Sequence, residues 1–212
     1  MMLVEIFPSG PLQTNAILIG CKETGHGAVI DPAPGSTEPI LQSAQKHGLK
    51  IEQILLTHSH WDHIADVKKM KGLTKAKVFI HPEDVGNLRV PGSDGLVAMM
   101  PVEASDADGF LADGQVVNVG NVQLRVIHTP GHSPGGICFY VEKEHVLFSG
   151  DTLFRGSIGH VRFSTGQPER MWPSLKKLAA LPPETRVISG HGRETTIGRE
   201  SWLSNAQEYL GE

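Results

Sequence analysis

The sequence predicts an α/β (α+β) fold in which two mixed sheets pack face to face with helices on the outside. Three observations point there. Ten short apolar runs, several rich in β-branched residues, fall in two batches along the chain. Helical patterns lie between and after those batches, as layered sheets with outer helices require. Four of the runs end directly at a histidine or an aspartate, which places chemistry-bearing residues at strand ends. A single doubly wound sheet is the competing arrangement.

Taken in order, the strand-like runs are MLVEIF at 2–7, AILIG at 16–20, AVI before Asp31, IEQILL at 51–56 and KVFI at 77–80. They continue with QVVNV at 115–119, VQLRVI at 122–127, GICFYV at 136–141, HVLFS at 145–149 and TRVIS at 185–189. A helix is expected over 36–47, with Ser36 and Thr37 as capping residues, Ile40, Leu41 and Ala44 on one face, and a stop at Gly48. A second begins near Asp62 and His63 and runs through Ile64, Val67 and Lys68. From Pro168, the residues Met171, Trp172, Leu175, Leu178 and Ala179 follow helical spacing until Pro182; Trp202, Leu203, Ala206, Tyr209 and Leu210 do so near the end. The aromatic members of these faces are expected to pack in the core. Segment 82–113 breaks every pattern and reads as a lid or rim over a site, or as plain surface loop.

At 212 residues the chain suits one compact domain, 1–212, and neither a tandem repeat nor a proline-rich linker divides it. No stretch of about 18 uninterrupted apolar residues occurs, so no membrane association is expected and a cytoplasmic location is the default. Cys21 and Cys138 have no metal-binding or redox spacing and read as reduced structural thiols. The net charge of −4, with no Lys/Arg-rich run, argues against nucleic-acid binding. Charge is nonetheless uneven: residues 83–113 hold seven acids against one base, whereas 155–199 hold eight bases against three acids. That bias suits an anionic small molecule, and a solvated surface equally well.

The chemistry concentrates where strands end. IEQILL runs into THSHWDH, VQLRVI into HTPGH, HVLFS into GD, and TRVIS into GH. Parallel strands gather such ends at one edge, so ligands far apart in sequence can meet. His58 and His60, two apart in extended chain, point the same way and can grip one ion. Asp62 and His63 fall just beyond, where the chain turns, and can face a second. His132 sits on a bare, sharply turned loop in TPGHSPGG. Asp151, with two carboxylate oxygens, is suited to bridge two cations about 3.5–4 Å apart, and His191, between glycines, completes the set. Each residue alone has an ordinary structural explanation; four ligand-type residues within six positions, plus three at later strand ends, point jointly to a metal site. His26, His47, His81, His128, His145 and His160 are left as surface or supporting residues.

In THSHWDH, TPGHSPGG, SGDTLF and SGHG the chain resembles the metallo-β-lactamase superfamily, in order and over nearly its whole length. GDTLFRGSIG, followed by a Pro-initiated helix and SGHGRETTIG, is similar to the short form of the hydroxyacylglutathione hydrolase (glyoxalase II) group. The resemblance implies a four-layer αββα sandwich with a metal pair at one edge. His58, His60 and His132 would hold the first ion, Asp62, His63 and His191 the second, with Asp151 between them. The implied reaction is hydrolysis of S-2-hydroxyacylglutathione or a related acidic thioester by a metal-bridging hydroxide, with Asp62 also orienting the attacking water. The cofactors are two divalent ions, zinc first, with iron or manganese also suited to such ligands. Asp31, Thr57 and Ser133 are candidate supporting residues. Arg155, His160, Arg162 and Arg193 are candidates to meet substrate carboxylates.

Rival readings remain. A mononuclear iron persulfide dioxygenase would need two histidines and a carboxylate, leaving Asp62, His63 and His191 spare. A β-lactamase lacks the bridging carboxylate that Asp151 provides, and another ester or lactone is a further possible substrate. Two local departures bear on glutathione: His160 stands where a Lys or Arg is expected, and Gly192-Arg193 replaces an aromatic-containing segment.

Overall fold

The computed structural model describes residues 1–210, with the side chain of Leu210, expected on the last helical face, outside the described part. The first half runs β1 (Met2–Ser9), β2 (Thr14–Cys21), β3 (His26–Ile30), α1 (Thr37–Lys46), β4 (Lys50–Leu55), α2 (Trp61–Ile64), α3 (Val67–Thr74), β5 (Lys77–Ile80), α4 (Val85–Arg89) and β6 (Gly109–Phe110). The second half is β7 (Val116–Val119), β8 (Val122–His128), β9 (Ile137–Val141), β10 (Val146–Gly150), α5 (Pro168–Ala179), β11 (Arg186–Ser189), β12 (Thr195–Thr196) and α6 (Ala206–Leu210). Strands β1 to β6 form one sheet in sequence order, and β12-β11-β10-β9-β8-β7 form the other. Both are mixed: β3, β4, β5 and β6 run parallel, as do β10 and β11, and the remaining pairs are antiparallel.

Period-2 alternation sorts the apolar side chains into three layers. On β2, Ile17 and Ile19 face the opposite sheet, whereas Ala16 and Leu18 face the helices. The inner layer joins Ile17, Ile19, Ile30 and Leu55 to Leu124, Val126, Phe139, Phe148 and Ile188 of the second sheet. One outer layer places Leu18, Val29 and Ile54 against Ile40 of α1 and Val67 and Met70 of α3. The other sets Ile127, Tyr140, Leu147 and Val187 against Met171, Leu175 and Leu178 of α5. Each fully buried aliphatic side chain contributes about 1.5–3 kcal/mol. Three separate apolar layers are what an αββα sandwich needs, and they exclude the single doubly wound sheet.

Several local expectations are corrected. Ser36 makes no side-chain cap on α1; instead Asp66 Oδ2 accepts from Thr37 N at 3.0 Å and Thr37 Oγ1 at 2.7 Å. The helix after His63 breaks at Ala65–Asp66 and restarts at Val67. Near the end, Ser201–Asn205 is a 3-10 helix ahead of α6, and Tyr209 is 67% exposed, stacked on Trp202, not packed in the core. Strands β6 and β12, two residues each, carry too little pattern to be read from sequence. Cys21 and Cys138 are free and buried. Among the described residues no helix is long and apolar enough to cross a membrane.

Candidate metal centre

Strands β3, β4, β8, β10 and β11 share one direction, so their C-terminal ends meet at one edge of the sandwich. Hydrogen bonds stitch the two sheets together there: Asn15 N donates to Gly190 O at 2.7 Å, and Ile137 N to Thr57 O at 2.9 Å. All seven predicted metal-type residues collect on this edge. His60 is extended, while Asp62 and His63 lie on α2, whose four residues are all buried.

Four of the five imidazoles, all but His60, are anchored through one nitrogen and present the other. His63 Nδ1 donates to Asp31 Oδ2 at 2.9 Å, His132 Nδ1 to the His160 carbonyl at 2.7 Å, and His191 Nδ1 to the Leu12 carbonyl at 3.1 Å. Thr57 Oγ1 donates its one proton to Asp31 Oδ2 at 2.5 Å, so it accepts from His58 Nδ1 at 3.1 Å. In the neutral ring each anchor fixes the tautomer that leaves Nε2 with a lone pair. The Nε2 atoms of His58, His60 and His132, and Asp151 Oδ1, are buried without a hydrogen-bond partner. Unpaired buried polar atoms are costly, and four beside one another need a shared partner.

Spacing tests what that partner is. His63 Nε2 lies 3.4 Å from Asp62 Oδ2 and 3.4 Å from His191 Nε2, and His191 Nε2 lies 3.3 Å from Asp62 Oδ2. Donors held about 2.0–2.1 Å from a tetrahedral ion stand about 3.3–3.4 Å apart, so this triangle has the size that coordination requires. The donor atoms of His58, His60 and His132 lie within 4.8 Å of one another. Asp151 stands between the two groups: Oδ2 is 3.4 Å from both His132 Nε2 and His191 Nε2, and Oδ1 is 3.4 Å from His63 Nε2. The donor set suits divalent metal ions. Gly190 makes the closeness possible, because a β-carbon there would overlap Asp151 Oδ1 and stand 2.7 Å from His63 Cε1.

Charge separates the groups in the metal-free protein. Burial holds His58 far below the usual imidazole range, His60 at about 3, and His132 below its ordinary value, so that trio is neutral. Burial also opposes charge on His191, but the carboxylates of Asp151 and Asp62 outweigh it and push the imidazole up to about 9. The same carboxylates overcome burial at His63 and raise it well above its ordinary value. Against burial, which pushes the other way, His63, His191 and Thr14 hold Asp62 down at about 2, and His63, His191 and His132 hold Asp151 well below the usual carboxylate range.

Supporting residues sort themselves by contact. Asp31, buried and with a left-handed backbone (φ 48°), accepts from Thr57 N, Thr57 Oγ1 and His63 Nδ1, so it orients His63 from behind. Asp31→Asn puts an amide NH2 against one of those donors. Metal affinity is expected to fall about 10–100-fold, read by chelator competition. Ser133 turns away from the donors and bonds Asp84. Arg155, His160, Arg162 and Arg193 lie on exposed loop positions beside the site. His160 packs on Phe163, whose ring stands edge-on to His60 and His132 at 5.6 and 5.7 Å. Sequence reading missed Phe163, and also Thr14, whose hydroxyl donates to Asp62 Oδ2 at 2.6 Å. A threonine opening a strand carries no signal of that task. His81, Glu83 and His128 also cluster, but the two rings stack at 4.1 Å and 17°, so their lone pairs run side by side instead of converging.

A family profile described as the Metallo-beta-lactamase superfamily matches residues 9–191. The chain belongs to that superfamily. Within it, the chain is 32% identical over 211 residues to "Hydroxyacylglutathione hydrolase GloC" of Haemophilus influenzae, covering 94% of this chain and 95% of that one. That similarity supports a metal-dependent hydrolase. Among solved structures, "BLEG-1 B3 metallo-beta-lactamase" superposes with a TM-score of 0.87 at 34% identity, covering 95% of this chain and 100% of the other. TTHA1623 in a di-iron-bound form gives 0.77 at 38% identity, covering 93% and 97%. ETHE1 from Myxococcus xanthus gives 0.78 at 27% identity, covering 93% and 81%.

Proposed function

We propose that the chain is a dinuclear metal-dependent hydrolase acting on an acidic thioester of the S-2-hydroxyacylglutathione type. His58, His60 and His132 would hold one ion and Asp62, His63 and His191 the other, with Asp151 available to both. The observation that carries this reading is the gathering of seven ligand-type residues at one edge, with Asp151 3.4 Å from an imidazole of each trio and four donor atoms buried without a hydrogen-bond partner. Divalent ions held there would supply Lewis-acid chemistry, making water a better nucleophile near neutral pH, by lowering its pKa from 15.7 towards about 7, and polarising a thioester carbonyl.

The chain's own groups do the rest. Asp62, held ionised and aimed by the Thr14 hydroxyl, orients the attacking water and accepts its hydrogen bond. Asp31 fixes His63, and the His160 carbonyl fixes His132, so the donors need no reorganisation during turnover. Phe163 walls the His60–His132 side and Phe154, 5.9 Å from His191, the other; both shield the reacting carbonyl from bulk water. Arg155, His160, Arg162 and Arg193 supply positive potential for the carboxylates of a glutathione-like leaving group.

A full second trio separates this reading from a mononuclear dioxygenase, in which Asp62, His63 and His191 have no task. The likeness to a structure named a B3 metallo-β-lactamase makes a β-lactam the necessary comparison substrate. S-lactoylglutathione hydrolysis should exceed hydrolysis of a chromogenic cephalosporin, in protein carrying about two metal ions per chain. One tightly held iron with oxygen uptake on glutathione persulfide, or cephalosporin as the better substrate, would sink the proposal.

A further inference from the structure

Segment 82–113 reads from sequence as lid or rim, yet its start is buried in the frame beneath the metal centre. Asp84 is 4% exposed and accepts three hydrogen bonds from two loops. Ser59 N, between His58 and His60, donates to Oδ2 at 3.1 Å. From the loop that carries His132, Ser133 Oγ donates to Oδ2 at 2.8 Å and Gly135 N to Oδ1 at 2.6 Å. The approach is close enough to exclude a side chain at 135, where a β-carbon would stand 2.7 Å from Asp84 Oδ1. Three residues on, the Asn87 amide donates to Ser59 O and to Asp94 Oδ2, and Ser164 Oγ, next to Phe163, bonds Asp94 O.

We propose that Asp84 is a positioning residue that locks the His58–His60 loop to the His132 loop and so preorganises the first ligand trio. The proposal rests on the metal-centre reading above. The two loops come from different sheets and share one backbone bond at their base, Ile137 N to Thr57 O; beyond it, between Ser59 and Ser133–Gly135, a carboxylate with two acceptor oxygens spans them. Among the described residues no salt bridge offsets its charge, and burial pushes the carboxyl up to about 6 despite the three donors. A buried carboxylate is thus the less stable choice for holding a fold together, while charge-assisted bonds are the stronger choice for fixing loop register. An amide in its place would set NH2 against Ser59 N or Gly135 N, freeing one loop.

The test is competition titration of Asp84→Asn with zinc, and the visible spectrum of the cobalt(II)-loaded protein. Affinity at the first trio should fall about 10–100-fold while the second trio keeps its affinity, so the two binding steps separate. Ser133→Ala, which leaves Asp84 and both amide donors in place, should lose less in the same direction; this variant covers a failure of Asp84→Asn to fold. Amide hydrogen exchange at Ser59 and Gly135 should quicken in Asp84→Asn. Asp108→Asn, which loosens Val78 N near the start of β5 and Lys71 of α3 and touches neither ligand loop, is the control and should leave both metal steps unchanged. Wild-type affinities and an unchanged cobalt spectrum in Asp84→Asn would overturn the role of Asp84 alone. A wild-type chain that takes up no metal would overturn the metal-centre reading along with it.

Discussion

Asp151→Ala should, on the dinuclear thioesterase reading proposed above, lower hydrolysis by on the order of 10³-fold or more, because several kcal/mol of charge stabilisation would depend on the paired ions and each 1.36 kcal/mol is tenfold in rate. Asp151 approaches both trios, at 3.4 Å from His132, His191 and His63 alike. Removing it leaves His191 beside Asp62, and His63 beside Asp62 and Asp31, and removes the group that would let two cations share a small space. Metal content should fall below two per chain in the same preparation, while circular dichroism stays unchanged, since the three apolar layers do not depend on this residue. Asp151→Asn, which keeps the shape and one neutral oxygen, should lie between. Activity per chain unaffected by Asp151→Ala would remove the shared-carboxylate arrangement.

Stripping the metal should abolish hydrolysis and expose a pH dependence that the loaded protein lacks. In the metal-free chain His191 titrates at about 9 against an ordinary 6.5, raised by Asp151 and Asp62 over the opposing effect of burial. A raised imidazole contributes stability that is fully present below pH 6.5 and is lost as pH rises through 9. Asp62, at about 2 against an ordinary 3.8, contributes stability present above pH 3.8 and lost as pH falls through 2. Metal-free protein should therefore melt highest between these limits and lose stability from pH 6.5 towards 9. Metal loading replaces the protons on His63 and His191, so loaded protein should keep its melting temperature across that window. For the same reason, metal affinity at the Asp62–His63–His191 trio should rise on the order of 10²-fold from pH 7 to 9 through His191 alone. Equal pH profiles for stripped and loaded protein would contradict the ion pairing described for the site.

Much of this was legible along the chain. THSHWDH, TPGHSPGG, GD and GH each stand where an apolar run stops, and the structure brings all seven of their ligand-type residues to one edge. The helix face of Ile40 and Ala44 and that of Met171, Leu175 and Leu178 pack as their spacing requires. Tyr209 departs from its pattern because helical spacing marks a face without saying whether a neighbour covers it. Ser36 departs because Asp66, thirty residues on, offers Thr37 a better acceptor than a local cap.

The sequence by itself determined the residues able to bind metal, the strands that deliver them and the superfamily in which that order occurs. Those signals are local: a run of alternating apolar residues, a turn, a donor at its end. Only the tertiary structure decided which nitrogen each imidazole presents, that Asp31 serves His63, that Thr14 aims Asp62, and that Asp84 ties two ligand loops together. Apart from the bond between neighbours Thr57 and His58, those contacts join residues tens of positions apart, and one hydrogen bond between buried groups leaves no periodicity in the chain to be read.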